Sequence, residues 1–207
     1  MNGLLRSPQR VVRTVAFIAS AITCLRAEAA HYSGADISYE CLGGNNYLIT
    51  LDLFRDCSGF MIVPQTLTFQ SDCGTTFTVA NITPPAGTEV SQLCASALAN
   101  SSCNGGPLPG IQHYVFQTTV NLPPCDGWTI SWNLCCRNST VNLNGTPGMY
   151  VEAVLNNATA PCNNSPAFND QSIPYVCVNQ PVYYNYGVTE PDGDSLVYSL
   201  VGAQYYA

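Results

Sequence analysis

Lysine is absent from this sequence, and charged residues make up only 9% of it. Arginine therefore supplies all six of the basic side chains, against thirteen acidic residues. Four arginines and one acid, Glu28, precede residue 30, so the remainder carries two arginines and twelve acids, a formal charge of −10. Because phosphate groups are bound by clustered Lys and Arg, this shortage excludes nucleic acid as a partner and disfavours anionic membrane surfaces.

Long hydrophobic runs are scarce as well. The apolar run at residues 15–25 spans about eleven positions, whereas a membrane-spanning helix needs about twenty. Arg6, Arg10 and Arg13 precede it, and Ala-Glu-Ala at 27–29 follows, which predicts a signal peptide over residues 1–29. An acylated cysteine at Cys24 is the disfavoured alternative, because a threonine stands where a small residue is expected. We therefore expect a secreted or cell-surface protein without a membrane span in this sequence.

Histidine occurs only twice, as His31 and His113, and neither lies in a recognisable motif. Nucleophilic catalysis by Ser or Cys needs a partner base, and structural zinc sites need paired Cys and His ligands. The sequence therefore predicts a protein that is not an enzyme and has no organic cofactor. Paired carboxylates of the glycosidase type are the remaining catalytic alternative.

Cysteine, in contrast, is abundant, and ten cysteines follow residue 29. An even number in an exported chain predicts a disulfide framework. The short spacings suggest local pairs Cys94–Cys103 and Cys162–Cys177. Side chains of neighbouring strand residues point to opposite faces, so Cys135 and Cys136 are expected to have separate partners, with Cys136 in the core. The predicted disulfide cysteines are Cys41, Cys57, Cys73, Cys94, Cys103, Cys125, Cys135, Cys136, Cys162 and Cys177.

Apolar and polar residues alternate with the period of a β-strand in many short stretches, and helical periodicity is not evident. Seven or more such stretches, bounded by Gly, Pro and Asn, predict an all-β, disulfide-rich Ig-like β-sandwich at residues 30–155. The stretches are 37–41, 47–53, 66–70, 75–79, 114–122, 128–134 and 150–155. Residues 81–111 lose the alternation, are rich in Pro and Gly, and are predicted to form a long binding loop clipped by a disulfide.

A change of composition follows the last of these strands. Residues 156–170 have the Asn, Pro and Ser content of a linker, and further strands are predicted at 173–178, 182–186 and 196–200. Three strands are too few to close a sandwich. We therefore expect residues 171–207 to be the truncated start of a second, cadherin-like or Ig-like β module, and the sequence to be a fragment.

Carboxylates alternate along the segment Glu-Pro-Asp-Gly-Asp at 190–194. Calcium takes six to eight oxygen ligands, so three acids need help from the linker. An ordinary Asp-Gly turn leading into a strand is the alternative interpretation. The predicted calcium ligands are Glu190, Asp192, Asp194, Asn163, Asn164 and Asp170.

The same segment, continued as Ser-Leu-Val-Tyr-Ser-Leu to residue 200, resembles the Asp-Pro-Asp-Gly-Asp-x-Leu-x-Tyr-x-Leu signature of bacterial cadherin-like modules. Residues 163–168, Asn-Asn-Ser-Pro-Ala-Phe, are similar to the linker Asn-Asp-Asn-x-Pro-x-Phe, in which acids and amides bind calcium between modules. Here Asn163 replaces the linker acid. The resemblance implies a calcium-stiffened joint.

Three segments nearer the N-terminus, residues 35–47, 53–59 and 135–138, resemble the start of the very large surface proteins of gliding bacteria. Those proteins continue into PKD-like or cadherin-like repeats and end in a type IX secretion sorting domain. The resemblance implies an adhesin-like, non-catalytic role in display, spacing or attachment. Further domains of the same chain and an extracellular glycan or surface protein are then the expected partners.

A secreted carbohydrate-binding module is the alternative function, since aromatic rings stack on sugars. Tyr183, Tyr184 and Tyr186 are its candidate ligand-binding residues, although tyrosine is also simply a good strand former. The two arginines after residue 30, Arg55 and Arg137, are each expected to pair with a carboxylate.

Overall fold

A computed structural model describes residues 32–135, 148–168 and 187–202, together with 179, 181, 183 and 204. None of the helices in these ranges is both long and apolar enough to cross a membrane. Several predictions lie outside the described residues. They are the signal peptide, Cys136, Arg137, Asp170, the strand at 173–178 with Cys177, and the strand at 182–186 with Tyr184 and Tyr186, of which Tyr183 alone is described.

Two four-stranded antiparallel sheets form a β-sandwich, as predicted. The first sheet has the order β1-β2-β6-β5, with β1 at Tyr32–Gly43, β2 at Asn46–Asp56, β5 at Thr88–Glu89 and β6 at Ile111–Asn121. The second has the order β4-β3-β7-β8, with β3 at Gln65–Ser71, β4 at Thr76–Ile82, β7 at Trp128–Leu134 and β8 at Met149–Leu155. A separate short pair joins β9, Ala167–Phe168, to β10, Val188–Thr189.

Alternating apolar side chains build the core from the inner faces of both sheets. In β2, Ile49, Leu51 and Leu53 are fully buried. In β7, Trp128, Ile130 and Trp132 are buried while the residues between them are partly exposed. Each fully buried apolar side chain of this size contributes about 1.5–3 kcal/mol relative to exposure. The residues of the predicted period-two pattern therefore form the core between the two sheets.

Two element predictions are corrected by the structure. Residues 190–202 have no regular secondary structure, so the strand predicted at 196–200 is not formed there. Strand propensity alone does not make a strand, which requires a hydrogen-bonded neighbour. The predicted loop at 81–111 contains β5 and two 3₁₀ turns, Leu98–Asn100 and Ser102–Asn104.

The disulfides join residues that are distant in sequence. They are Cys41–Cys162, Cys57–Cys103 and Cys73–Cys125, with separations of 121, 46 and 52 residues. Cys135 is also disulfide-bonded. Such a framework belongs to an oxidising compartment.

Both predicted local pairs are therefore wrong, and Cys94 is a free, exposed thiol. The reason is the topology. Because β2 lies beside β6, the N–H of Cys57 reaches the carbonyl of Gly110 at 2.9 Å, which brings Cys57 to the loop that carries Cys103.

Candidate functional site

The segment after Pro161 is fastened along the outer edge of β1. The Cys41–Cys162 disulfide anchors it, and the N–H of Cys41 donates to Asn164 Oδ1 at 2.7 Å. Next along the strand, Ser165 N–H donates to the Tyr39 carbonyl at 2.9 Å, and Tyr39 N–H donates to Ser165 Oγ at 2.8 Å. Residues 162–165 therefore occupy the edge that a further strand of the sheet would occupy.

Asn164 also donates hydrogen bonds to the acidic segment that follows β10. Its backbone N–H donates to Asp192 Oδ2 at 2.7 Å, and its side-chain Nδ2 donates to Asp192 Oδ1 at 2.8 Å. Pairing of β9 with β10 brings the two segments into register, because Phe168 lies opposite Val188 and Ala167 opposite Thr189. We call the arrangement of residues 162–165 and 188–194 on β1 the joint.

Within the turn, Gly193 has a left-handed backbone conformation with φ of +82°, and the Asp194 N–H donates to Glu190 Oε2 at 2.6 Å. Left-handed conformations favour glycine, since it has no Cβ. The chain bends at residues 191–192 before Gly193, but the strand that the Asp-Gly alternative expected after it is not formed. Two of the turn's three carboxylates, Glu190 and Asp192, accept hydrogen bonds from N–H groups of the joint itself.

The predicted calcium ligands are only partly brought together. Asn164 and Asp192 are in contact, but Asn164 presents its N–H groups, not its oxygen, to the carboxylate. In the described part of the chain no three acidic, His or Cys side chains are grouped so that they could hold a metal ion. The joint is therefore held there by hydrogen bonds, and calcium binding stays a prediction.

Tyr39 ties the joint to the second sheet. Its hydroxyl donates to the Val154 carbonyl of β8 at 3.1 Å. Burial raises the pKa of Tyr39, and the negative charge of Asp192 raises it further, while a hydrogen bond with Asn163 opposes both effects. The phenol is therefore a neutral donor near pH 7.

A second polar cluster, on the outer face of the first sheet, was missed by the sequence analysis. Asp36 lies directly opposite Asp52 in the β1–β2 register, and Asp52 Oδ1 is 2.5 Å from His113 Nε2. The His113 ring stacks on Phe54 with centroids 4.8 Å apart. Alternation marks each residue as outward-facing, but only the strand register shows that the two aspartates are neighbours.

Burial raises the pKa of Asp36 to about 6, its neighbour Asp52 raises it as well, and a hydrogen bond from the Ile37 backbone acts in the opposite direction. Burial on the sheet face therefore disfavours the charged form of Asp36.

Two further residues singled out in the sequence, Tyr183 and Arg55, lie in the described part of the chain. Tyr183 has 95% of its surface exposed, and its predicted companions are not described. Arg55 is buried, and its guanidinium donates to carbonyl oxygens and to Gln112, so the prediction of a carboxylate partner is wrong for the contacts that the described residues make.

Comparisons with protein-family models, curated proteins and solved structures find no match to this chain.

Proposed function

We propose that the protein is a non-catalytic extracellular module, of the adhesin-like kind, that displays or spaces further parts of a cell-surface or secreted chain. The observation that carries the proposal is the joint. Asn164 is hydrogen-bonded at one end to Cys41 of the sandwich and at the other to Asp192 of the turn. A spacer must fix the direction of the next segment of the chain, and Asn164 couples the turn to the sandwich in this way.

Three kinds of constraint act on neighbouring residues of the joint. Cys162 is covalently bonded, Asn164 makes three hydrogen bonds and Ser165 pairs with the Tyr39 backbone. Linkers rich in Asn, Ser and Gly are otherwise flexible, and their reach then varies with the square root of their length. The ordering of this segment on an edge strand supports a stiff connection over a flexible tether.

The composition supports an exported, exposed setting. Three long-range disulfides constrain the unfolded chain and fit an oxidising environment. The formal charge of −10 that follows residue 29 favours solubility, because like-charged copies of the chain repel one another. The signal peptide predicted at residues 1–29 completes the proposal of a secreted or surface-displayed protein.

The joint is tested by hydrogen exchange on Asn164→Ala. Exchange at the Cys41 amide should rise because the variant removes its acceptor, Asn164 Oδ1. Exchange in residues 188–194 should rise by about tenfold or more, because the variant also removes the side-chain hydrogen bond to the Asp192 carboxylate, and such a bond is worth about 1.5–3 kcal/mol. Asn156→Ala is the matched control, since the hydrogen bonds that the Asn156 side chain accepts within the described residues come from its near neighbours Ala158 and Thr159. If exchange is unchanged in Asn164→Ala, or rises equally in the control, Asn164 does not couple residues 188–194 to the sandwich and the joint does not support the proposal.

A carbohydrate-binding module is the second candidate, and the observation that favours it is the exposed ring of Tyr183. An aromatic side chain held in solvent is available to stack on a sugar ring. Binding of the oxidised chain to a glycan array, lost in Tyr183→Ala and retained in Tyr183→Phe, would favour this function. If the chain binds no glycan on the array, the carbohydrate-binding function is rejected and the spacer function is retained.

A further inference from the structure

The loop that follows β2, residues 57–64, exposes apolar side chains at one end of the first sheet. Met61 is 73% exposed, Val63 57% and Phe60 53%. Between them, Ile62 points inward and packs against the core. The loop therefore directs its apolar residues outward from an anchored position, and we call it the apolar tip.

A buried arginine fixes the backbone of the apolar tip. Arg55 is 5% exposed, and its guanidinium donates to the carbonyl oxygens of Gly59, at 2.5 Å, and of Phe60. It also donates to Gln112 Oε1 at 2.8 Å. Among the described residues no carboxylate forms a salt bridge with Arg55, so its positive charge is directed at carbonyl groups of the tip.

A buried glutamine completes the arrangement on the other side. Gln65 is 5% exposed, and its Nε2 donates to the Val63 carbonyl at 2.7 Å while its Oε1 accepts from the Trp132 indole at 2.9 Å. The Cys57–Cys103 disulfide holds the start of the loop. Three carbonyl groups of the tip, those of Gly59, Phe60 and Val63, therefore face bonded donors inside the protein.

Moving a polar group from water into an apolar setting is costly unless it is already hydrogen-bonded. The carbonyls of Gly59, Phe60 and Val63 meet that condition before any partner arrives. The loop is also ordered in advance, so little conformational entropy remains to be lost on binding. Three hydrogen-bonded carbonyls beside exposed apolar side chains fit contact with a low-dielectric partner.

The charge of the protein surface indicates which kind of lipid surface the apolar tip can bind. Arg55 is buried, so the described part of the chain offers no exposed Lys or Arg to an anionic headgroup. Peripheral binding to anionic lipid relies on such residues. We propose that the apolar tip inserts Phe60, Met61 and Val63 into the interfacial region of a zwitterionic lipid bilayer. This attachment does not depend on the joint.

The test is sedimentation of the oxidised chain with phosphatidylcholine vesicles. The partition coefficient should fall about tenfold in Met61→Ser and, separately, about tenfold in Val63→Ser. Burying one such apolar side chain is worth at least a factor of about ten in binding. Leu42→Ser is the matched control, since Leu42 is 52% exposed in the hairpin at the opposite end of β1. Its partition should equal that of the unmodified chain.

A second readout uses Met61→Trp, whose fluorescence should shift to the blue on addition of the same vesicles, while Leu42→Trp should not respond. Several results would overturn the proposal. They are no partition into phosphatidylcholine, equal loss in Leu42→Ser, partition that the tip variants leave unchanged, and binding that appears only with anionic phosphatidylglycerol.

Discussion

At the scale of single residues, Asp36 makes the clearest prediction about pH. Burial raises its pKa to about 6, from an ordinary value near 3.8. The folded state then binds the proton more tightly than the unfolded state, so stability falls as pH rises from about 4 to about 6 and stays low above that range. Asp36→Asn should remove this loss and stabilise the protein by about 2 kcal/mol at pH 7, as measured by urea unfolding at pH 4 and 7.

Glu40→Gln is the control for that experiment, because Glu40 is an exposed carboxylate of the same strand. It should leave the pH dependence of unfolding as it is in the unmodified chain. An Asp36→Asn variant with the original decline between pH 4 and 6 would show that burial of this carboxyl is not its cause.

Asn157 makes a second prediction at this scale. It is 2% exposed, its Oδ1 accepts from the Cys125 N–H at 2.9 Å, and its Nδ2 donates to the Leu122 carbonyl at 2.8 Å. Asn157→Ala leaves both buried backbone groups without this partner, so we expect a loss of about 2 kcal/mol in the free energy of unfolding. Asn46→Ala, on an exposed turn with longer hydrogen bonds, should cost less than half of that.

At the scale of elements, alternation of side chains was sufficient to predict seven of the eight strands of the two sheets, all except β5 in the segment predicted as a loop. Two faces of a strand meet two environments, so the pattern records burial directly. Residues 196–200 show the limit of this reasoning. Their pattern describes a strand, but pairing depends on a neighbour that the pattern does not specify, and Leu200 is 99% exposed.

Disulfide connectivity shows the same limit. Sequence spacing favours short loops, whereas strand order decides which chain ends meet, and it brings Cys57 to Cys103. Alkylation of the native, unreduced chain should therefore label Cys94 and leave the cysteines of the three described disulfides unmodified. Peptide mapping checks this, and a linked peptide containing Cys94 and Cys103 would contradict the connectivity.

The sequence predicted several residues of the candidate site, but not the contacts that they make. Asn164, Asp192 and the turn glycine Gly193 could be named because amide, carboxylate and glycine have distinct chemistry in linkers and turns. Their hydrogen-bonding roles could not, since the same residue types serve calcium equally well. The carbonyl partners of Arg55 could not be predicted either, because a sequence does not show which backbone groups face a buried cation.

At the scale of the whole molecule, calcium is the natural added ligand for an acidic chain. Anything that binds the native state alone raises its stability. The calcium prediction therefore requires a melting temperature that rises with millimolar calcium relative to chelator, and a rise that is lost in Asp192→Ala combined with Asp194→Ala. Equal melting temperatures would assign both residues to the hydrogen-bonded turn alone.

The central claim is that the joint holds residues 188–194 rigidly against the sandwich. The most direct test is the ¹⁵N order parameters of the oxidised chain, recorded in chelator so that calcium makes no contribution. Rigid backbone gives values near 0.85 and flexible backbone gives values below about 0.6. We predict that residues 188–194 match β2 near the rigid value, and values below about 0.6 would contradict a spacer built on this joint.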